Sequence, residues 1–328
     1  MRRLKVLFVP HPIEELLTPW VEDVIAAVGD RHDLRLFDRG QEAKPQLEGI
    51  EAIVDLGGNI QADLIDVAAA AGVKFVQVQT NGLNHVKVDE IVGSGMMLAH
   101  CPGDLSSVAL AESAMMFMLM LARRYKEGLG NFERGKIFFP AGIALEGRTL
   151  GIIGFGASGQ ELARRAKAFR MRIMGIDVRP IEQEILDEIQ LDFLGGADDT
   201  DRVIAESDFL SVHLHLTQKT RHIIDARRIG LMKPTAYLIN VARGGLVDES
   251  ALYEALMEGR IGGAGLDAFA QEPPEHSLPV YQLLDVCVTP HTAGSSDGTS
   301  RKRAEFAADN LDRYARGEEV LARVTAKA

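Results

Sequence analysis

Cysteine is scarce in this chain, which bears on where the protein resides. It occurs twice in 328 residues, at Cys101 and Cys287, each beside apolar residues. The simplest interpretation is two buried, reduced thiols in a cytosolic protein, with a disulfide or a nucleophilic cysteine as the alternatives. We therefore expect a cytoplasmic protein.

Long apolar runs are also missing. The run in the amino-terminal "MRRLKVLFVP" stops at Val9, short of the roughly 7 to 15 apolar residues of a signal peptide. The most apolar stretch, "AMMFMLMLA" at 114–122, is far below the roughly 20 residues that span a bilayer. We expect neither export nor a membrane span, and interpret 114–122 as a buried helix whose methionines pack in the core.

Positive charge is in deficit. Thirty-six Lys and Arg residues face 47 Asp and Glu residues, which gives a net charge of -11. A nucleic-acid duplex or an anionic membrane would be repelled over most of such a surface. We predict neither as a partner, although a few local arginines can still hold a small anion.

What is present points to an α/β protein of two domains. The length and the 46% hydrophobic content can supply two cores. Short β-rich runs ("KVLFVP", "DLRLF", "AIVDLG", "KFVQVQ", "MLAH") alternate with helical patterns near 13–28 and 62–71 in the first hundred residues. This alternation is typical of a parallel sheet with crossover helices.

A second α/β series begins at "GRTLGIIGFG" and runs through "MRIMGIDV", "SDFLSVHLHL", "TAYLINVA", "GGAGLDAF" and "VCVTPH". The last amphipathic stretch, "RKRAEFAADNLDRYARG", follows the run "AGSSDG", so we expect the chain to cross back onto the first domain. The predicted domains are 1–101 plus 293–328, and 102–292.

A glycine loop carries the clearest chemical signal. In "TLGIIGFGASGQELARRAKAF", Gly154, Gly156 and Gly159 lie between an apolar strand and a helix. They suit a tight turn, close approach to a pyrophosphate and close helix packing, with the phosphates at the helix N-terminus. Asp177, 18 residues past Gly159, can accept hydrogen bonds from both ribose hydroxyls, which favours NAD over NADP. Arg179 leaves some tolerance of NADP; the alternative is a turn without a ligand.

Three polar residues follow later strands of the same series. Arg243, Glu272 and His291 each come after an apolar run, and ligands of such sheets bind beyond the carboxyl ends of the strands. Arginine matches a carboxylate, histidine exchanges protons near neutral pH, and a neighbouring glutamate would favour the imidazolium and fix its ring. Each residue alone is also compatible with a structural role. Their joint placement predicts one catalytic cleft.

The stretches "LEGRTLGIIGFGASG", "INVARGGLVDE", "GGAGLDAFAQEPP" and "VTPHTAGSS" closely resemble signatures of the D-isomer-specific 2-hydroxyacid dehydrogenases, and the likeness covers nearly the whole chain. The resemblance implies two Rossmann-like domains with parallel sheets, one flavodoxin-like for the substrate and one binding NAD, with a cleft between. It also implies a homodimer or a tetramer, with the dimer built through the cofactor domains.

Residue by residue, the resemblance implies that Arg243 binds the substrate's carboxylate and carbonyl oxygen. It implies that His291 is the general acid and base, and that Glu272 hydrogen-bonds His291. It implies a cofactor set of Gly154, Gly156, Ala157, Ser158, Gly159, Asp177, Val241 and Asp267, the last for the nicotinamide carboxamide. The substrate loop would be Asn81, Gly82 and Leu83.

Some positions depart from the family pattern. His215 replaces a usual proline, Asn84 a usual aspartate, and Phe138 and Phe139 stand near a missing tryptophan. His213 and His215 alternate on one strand, but with no cysteine or carboxylate cluster nearby we predict no metal.

We therefore predict an NAD-dependent oxidoreductase that interconverts a small D-2-hydroxy acid and its 2-oxo acid. Phosphoglycerate, glycerate or hydroxypyruvate, glyoxylate and lactate all stay open as substrates. The alternative is an NAD-sensing, corepressor-like binding protein of the same fold. Oxidation of formate is disfavoured because that branch carries glutamine where this chain has Glu272.

Overall fold

The computed structural model describes residues 2–12, 19–58, 60–83 and 85–325. The chain divides into two compact units, Met1–Leu105 with Ser295–Ala328, and Ser106–Gly294. The first part of the helix expected over 13–28 and the departure noted at Asn84 lie outside the described residues.

The strands of the described residues are short and, with one exception, pair in parallel. In chain order they are β1 Lys5–Val9, β2 Asp33–Leu36, β3 Ala52–Asp55, β4 Phe75–Val78, β5 Met97–His100, β6 Thr149–Ile153, β7 Arg172–Ile176, β8 Phe193–Gly195, β9 Phe209–Val212, β10 Tyr237–Asn240, β11 Gly263–Leu266, β12 Val286–Val288 and β13 Arg323–Val324.

The helices of the same ranges connect these strands. They are α1 Trp20–Gly29, α2 Ala43–Gln46, α3 Ala62–Ala71, α4 Val88–Gly93, α5 Ser107–Ala122, α6 Tyr125–Glu133, α7 Ala157–Ala168, α8 Gln183–Ile189, α9 Thr200–Glu206, α10 Ala226–Ile229, α11 Glu249–Met257 and α12 Asp297–Ala315. Short 3-10 turns occur at Gly103–Ser106, Ala197–Asp199, Gly244–Leu246 and Pro279–Gln282.

The sheet of the first unit has the order β2-β1-β3-β4-β5-β13, in which only β13 is antiparallel to its neighbour. Alternate residues of each strand point to opposite faces. Val6 and Phe8 therefore pack with α1 and α12, while Leu7 and Val9 pack with α3 and α4. The order 2-1-3-4-5 is the flavodoxin-like one, which confirms that prediction.

The sheet of the second unit has the order β8-β7-β6-β9-β10-β11-β12 and is parallel throughout. Its strand order reverses between β6 and β9, as in dinucleotide-binding folds, where the ligand lies at this reversal. One face is covered by α5 and α7, with Phe117 and Leu162 fully buried, and the other by α9 and α11, with Val203 and Leu252. The prediction of an α/β fold with parallel sheets is confirmed.

The helix that contains 114–122 is longer than the apolar run suggested. With the preceding turn it spans Gly103–Ala122, and among the described residues this one segment is long and apolar enough to cross a membrane by length and composition. In the structure 56% of its most apolar window is buried inside the protein. Phe117 contacts β11 so closely that a Cβ on Gly265 would lie 2.6 Å from the Phe117 side chain. The segment is therefore a core helix of the second unit.

Candidate active site

Three predicted side chains lie at one edge of the second sheet. The strands β10, β11 and β12 are neighbours and run in parallel, so the segments that leave their carboxyl ends start side by side. Arg243 follows β10, Glu272 lies in the loop after β11, and His291 follows β12. The topology thus brings together residues that are 48 positions apart (291 − 243) in the sequence.

His291 and Glu272 form a direct pair. The Nδ1 atom of His291 lies 2.8 Å from both carboxylate oxygens of Glu272, and the two side chains are 42% and 39% exposed. Burial opposes ionisation of Glu272, but the hydrogen bonds from His291 and from the Phe269 N–H, at 3.0 Å, lower its pKa overall. Glu272 is therefore a carboxylate at neutral pH, and Nε2 is the His291 nitrogen left to meet a ligand.

Arg243 carries a largely buried guanidinium. Its Nη1 donates to the Ala242 carbonyl at 2.7 Å, and within the part of the chain that the structure describes it forms no ion pair. Burial lowers the pKa of Arg243, while the charges of Glu272 and Asp267 act in the opposite direction. A cation that is desolvated and has no carboxylate against it is suited to hold an anionic ligand.

Two features fix the turn that carries Arg243. The buried side chain of Asn240 donates to the Arg243 carbonyl at 3.0 Å and accepts from the Ala242 N–H at 3.1 Å. A Cβ on Gly244 would lie 1.8 Å from the Phe269 carbonyl carbon, so only glycine allows this close approach. The approach brings the turn of Arg243 against the loop of Glu272. Asn240 was missed as a site residue, although an amide at the end of a strand is a signal for such a turn.

Asp267 organises the loop that carries His291. Its side chain, 1% exposed, accepts from the Thr289 hydroxyl at 2.6 Å, the Thr292 N–H at 2.7 Å and the Ala293 N–H at 2.9 Å. These bonds hold His291 with its φ of 55° in the left-handed region that side chains rarely adopt. The sequence motif gave no sign of this supporting role. Its predicted contact with the nicotinamide carboxamide stays a prediction.

The glycine loop has the shape that a pyrophosphate requires. Gly154 has a φ of 100°, and a Cβ on Gly159 would lie 2.4 Å from the Gly154 carbonyl oxygen, so the strand, turn and helix are closely packed. The helix α7 begins at Ala157, which is exposed, and its first turn presents unpaired N–H groups. Val241, in contrast, is buried with 2% exposed, so only its backbone can reach a cofactor.

Asp177 lies at the carboxyl end of β7, where the ribose of a dinucleotide is expected. Its carboxylate accepts from the Arg179 side chain at 3.1 and 3.0 Å and from the Arg179 N–H at 2.9 Å. Burial opposes ionisation of Asp177, but these bonds lower its pKa overall. To bind Asp177, ribose hydroxyls would have to displace the Arg179 guanidinium or share the carboxylate with it. The same guanidinium lies 3.2 Å from the position of a Cβ on Gly156.

His213 connects the end of β9 to the glycine loop. Its Nδ1 is 3.0 Å from the Ser158 hydroxyl and its Nε2 is 2.8 Å from the Ser211 hydroxyl. Burial lowers the pKa of His213 to about 4, so the ring is neutral at physiological pH. His215 is exposed, and no group of three metal-ligating side chains occurs among the described residues.

The predicted substrate loop belongs to the other unit. Asn81, Gly82 and Leu83 are half-buried and follow β4, and the Thr80 hydroxyl donates to the Gly82 carbonyl at 3.3 Å. Arg303 of α12 donates to the Gln79 carbonyl at 3.1 Å, at the base of the same loop. The loop thus lies at the carboxyl edge of its own sheet.

Known proteins resemble this chain in sequence and in structure. The model of the D-isomer specific 2-hydroxyacid dehydrogenase NAD binding domain matches residues 115–293. A D-3-phosphoglycerate dehydrogenase of Methanocaldococcus jannaschii is 37% identical over 270 residues, which cover 81% of this chain and 50% of that protein. The chain therefore spans about half the length of that relative.

A glyoxylate reductase of Thermococcus onnurineus is 36% identical over 283 residues, covering 83% of this chain and 82% of that protein. Among solved structures, D-lactate dehydrogenase from Aquifex aeolicus complexed with NAD and lactic acid has a TM-score of 0.78 at 25% identity. That comparison covers 98% of this chain and all of the other.

Proposed function

The chain belongs to the D-isomer specific 2-hydroxyacid dehydrogenases, and from that premise we propose that it reduces a small 2-oxo acid to the D-2-hydroxy acid, and reverses this reaction, through Arg243, Glu272 and His291. It is an NAD-dependent oxidoreductase. The observation that carries the proposed site is the His291–Glu272 pair beside an arginine that forms no ion pair among the described residues.

The roles follow from the chemistry of the side chains. Arg243 holds the substrate carboxylate and polarises the neighbouring carbonyl oxygen with its planar fork of donors. His291 keeps a proton on Nε2 and passes it to that oxygen, while Glu272 fixes the ring through Nδ1 and stabilises the imidazolium. NADH, when bound, supplies the hydride to C2. The first turn of α7 would hold its pyrophosphate and Asp177 its adenosine ribose.

Short 2-oxo acids are the proposed substrates, with glyoxylate and hydroxypyruvate first. Two relatives, each covered to 82% by this chain, are named glyoxylate reductase, and another is named hydroxypyruvate reductase. Near the predicted substrate loop, "VQTNGLNHVK" supplies only Lys87 for a phosphate.

The test is oxidation of NADH and NADPH by the purified protein with glyoxylate, hydroxypyruvate, pyruvate and phosphohydroxypyruvate, compared by kcat/KM. We expect turnover with at least one short acid and its loss in His291→Asn. Tight binding of NAD without any turnover would contradict the proposed reaction and favour an NAD-sensing binding protein.

We further propose that the protein is a cytoplasmic homodimer joined through the second unit. Large apolar side chains are exposed there in one segment, with Phe132 80%, Ile137 71% and Phe138 99% accessible. Such a patch is unusual for a monomer surface. Both cysteines are free and buried, which supports a reducing compartment. The net charge of -11 supports the absence of nucleic-acid and membrane partners.

A further inference from the structure

The loop that carries Glu272 is held from a neighbouring helix. Glu272 itself accepts the N–H of Phe269 at 3.0 Å. The next N–H, that of Ala270, donates to the carboxylate of Glu249 at 2.6 Å, a short charge-assisted bond. Glu249 is the first residue of α11 and lies 23 positions before Glu272 (272 − 249) in the chain. Two successive N–H groups of the loop are thus bound by two different glutamates.

Aromatic side chains pack between α11 and the loop of Glu272. Tyr253, one turn after Glu249 on α11, hydrogen-bonds the hydroxyl of Tyr281 at 2.6 Å. The ring of Tyr281 makes edge contacts with both Tyr253 and Phe269 at 5.8 Å between ring centres. The loop of Glu272 therefore packs against Tyr281, which is joined to α11 through the hydroxyl of Tyr253.

An electrostatic interaction links Glu249 to the Glu272–His291 pair. Burial and the nearby carboxylate of Glu272 raise the pKa of Glu249, while the N–H of Ala270 and the hydroxyl of Tyr253 act in the opposite direction. His222, from the segment after β9, also acts to lower it. When Glu249 is ionised, its carboxylate adds negative potential close to Glu272, which favours a proton on the pair.

We propose that Glu249 is a positioning residue for the Glu272–His291 pair, holding the Glu272 loop through Ala270 and favouring protonation of the pair through its charge. The proposal rests on the proposed dehydrogenase function. Glu249 does not touch the reacting atoms, so its effect passes through Glu272. A shift of the Glu272 carboxylate by about 1 Å would turn His291 away from its productive position.

The test compares Glu249→Ala, which removes both the bond and the charge, with Glu249→Gln, which keeps an acceptor for Ala270 but not the charge. Glu254→Ala is the matched control, because Glu254 is exposed on the same helix. Two readouts are used: steady-state kinetics against pH with the best 2-oxo acid, and amide hydrogen exchange of peptides covering 268–274, followed by mass spectrometry.

We expect Glu249→Ala to lower kcat ~10- to 100-fold with little change in the KM for NADH, and to speed exchange at 269–272. Glu249→Gln should restore slow exchange and most of kcat, while the fall of the reduction rate with rising pH moves to lower pH. If Glu249 had only a structural role, Glu249→Gln would not restore slow exchange while its pH profile stayed shifted.

Equal kinetics and equal exchange in Glu249→Ala and Glu254→Ala would overturn the proposal, as would failure of Glu249→Gln to rescue either readout. If Glu249→Ala does not fold, the pH profiles of Glu249→Gln and Tyr253→Phe decide, and two unshifted profiles overturn it. If the wild type reduces no 2-oxo acid, the proposed function is wrong, and exchange at 269–272 alone then supports or overturns the holding role.

Discussion

Two effects act in opposite directions on the pKa of Arg243: burial lowers it, and the charges of Glu272 and Asp267 raise it. Burial disfavours the guanidinium cation, and in the described structure only the Ala242 carbonyl accepts from it directly. Such an arrangement costs stability unless an anion completes it. The side chain is therefore better explained by ligand binding than by folding.

We predict that Arg243→Lys and Arg243→Ala lower kcat/KM for the best 2-oxo acid by roughly 100-fold or more, because an ammonium cannot reproduce the bidentate contact. The dissociation constant of NADH, measured by fluorescence titration, should stay within about 2-fold. Arg260→Ala, at an exposed arginine paired with Glu258, is the control. A variant of Arg243 that kept most of its turnover would remove this residue from the site.

We propose that Asp177 and Arg179 decide between the two nicotinamide cofactors. The pair is joined by three hydrogen bonds, so each residue limits what the other can bind. We expect Asp177→Ala to weaken NADH and free Arg179 for a 2'-phosphate, so that the NADPH to NADH ratio of kcat/KM rises about 10-fold or more. Asp198→Ala, at an exposed aspartate, is the control. An unchanged ratio would show that the ribose lies elsewhere.

At the scale of elements, the site depends on contacts between neighbouring loops. The turn after β10 and the loop after β11 touch at Gly244 and Phe269. The loop after β12 is held by Asp267 at the end of β11. No single strand end makes the site, and each loop is shaped by the one beside it.

The Gly244→Ala variant tests this dependence. A methyl group would overlap the Phe269 backbone, so we predict a loss of about 1 to 3 kcal/mol in the free energy of unfolding, and a fall in kcat as the loops move apart. Chemical denaturation and steady-state kinetics measure the two effects. In Gly298→Ala the added Cβ would make only an ordinary van der Waals contact, with the Ser296 hydroxyl at 3.9 Å, and both values should stay close to wild type.

His213 makes the joint between β9 and the glycine loop sensitive to pH. Its pKa is about 4 when folded and near 6.5 when unfolded, so the unfolded chain takes up the proton first as pH falls. The contribution of His213 to stability is therefore complete above about pH 6.5 and is lost progressively as the pH falls towards 4. We expect a smaller decline between pH 7 and pH 5 in His213→Asn than in wild type, by denaturant titration. Parallel declines would contradict the lowered pKa of His213.

For the whole molecule, an acidic surface includes a segment of the second unit in which several large apolar side chains are highly exposed. The net charge of -11 keeps copies apart in solution unless a specific contact outweighs it. Phe132, Ile137 and Phe138 can supply such a contact because they are exposed and lie close together in sequence.

We predict that light scattering after size exclusion gives twice the mass of the chain, and that Phe138→Glu shifts the protein to the monomer without changing its fold by circular dichroism. Leu36→Glu is the control, because Leu36 is also exposed, at 50%, but belongs to the first unit. A monomeric wild type, or a dimeric Phe138→Glu, would contradict the proposed interface.

Local patterns were enough for the family, the fold class and the cofactor. The strands that alternate with amphipathic helices, and the glycines between "LGII" and "QELARR", depend on spacing within a few residues, so they can be read directly. The strand β8 was missed because its three residues, one of them a glycine, are too few to show a strand pattern. The strand β13 was missed because its two residues are defined only by pairing with β5.

By itself the sequence determined the reaction class, an NAD-dependent oxidoreductase. Residue types and their placement after strands predicted Arg243, Glu272, His291 and the dinucleotide loop as its site. Only the tertiary structure decided how those groups are held: Gly244 against Phe269, Asp267 against the loop of His291, and Glu249 on Ala270. These contacts join residues that are distant in the chain or point in directions set by the backbone. No local pattern encodes them, because they arise when parallel strands place their carboxyl ends side by side.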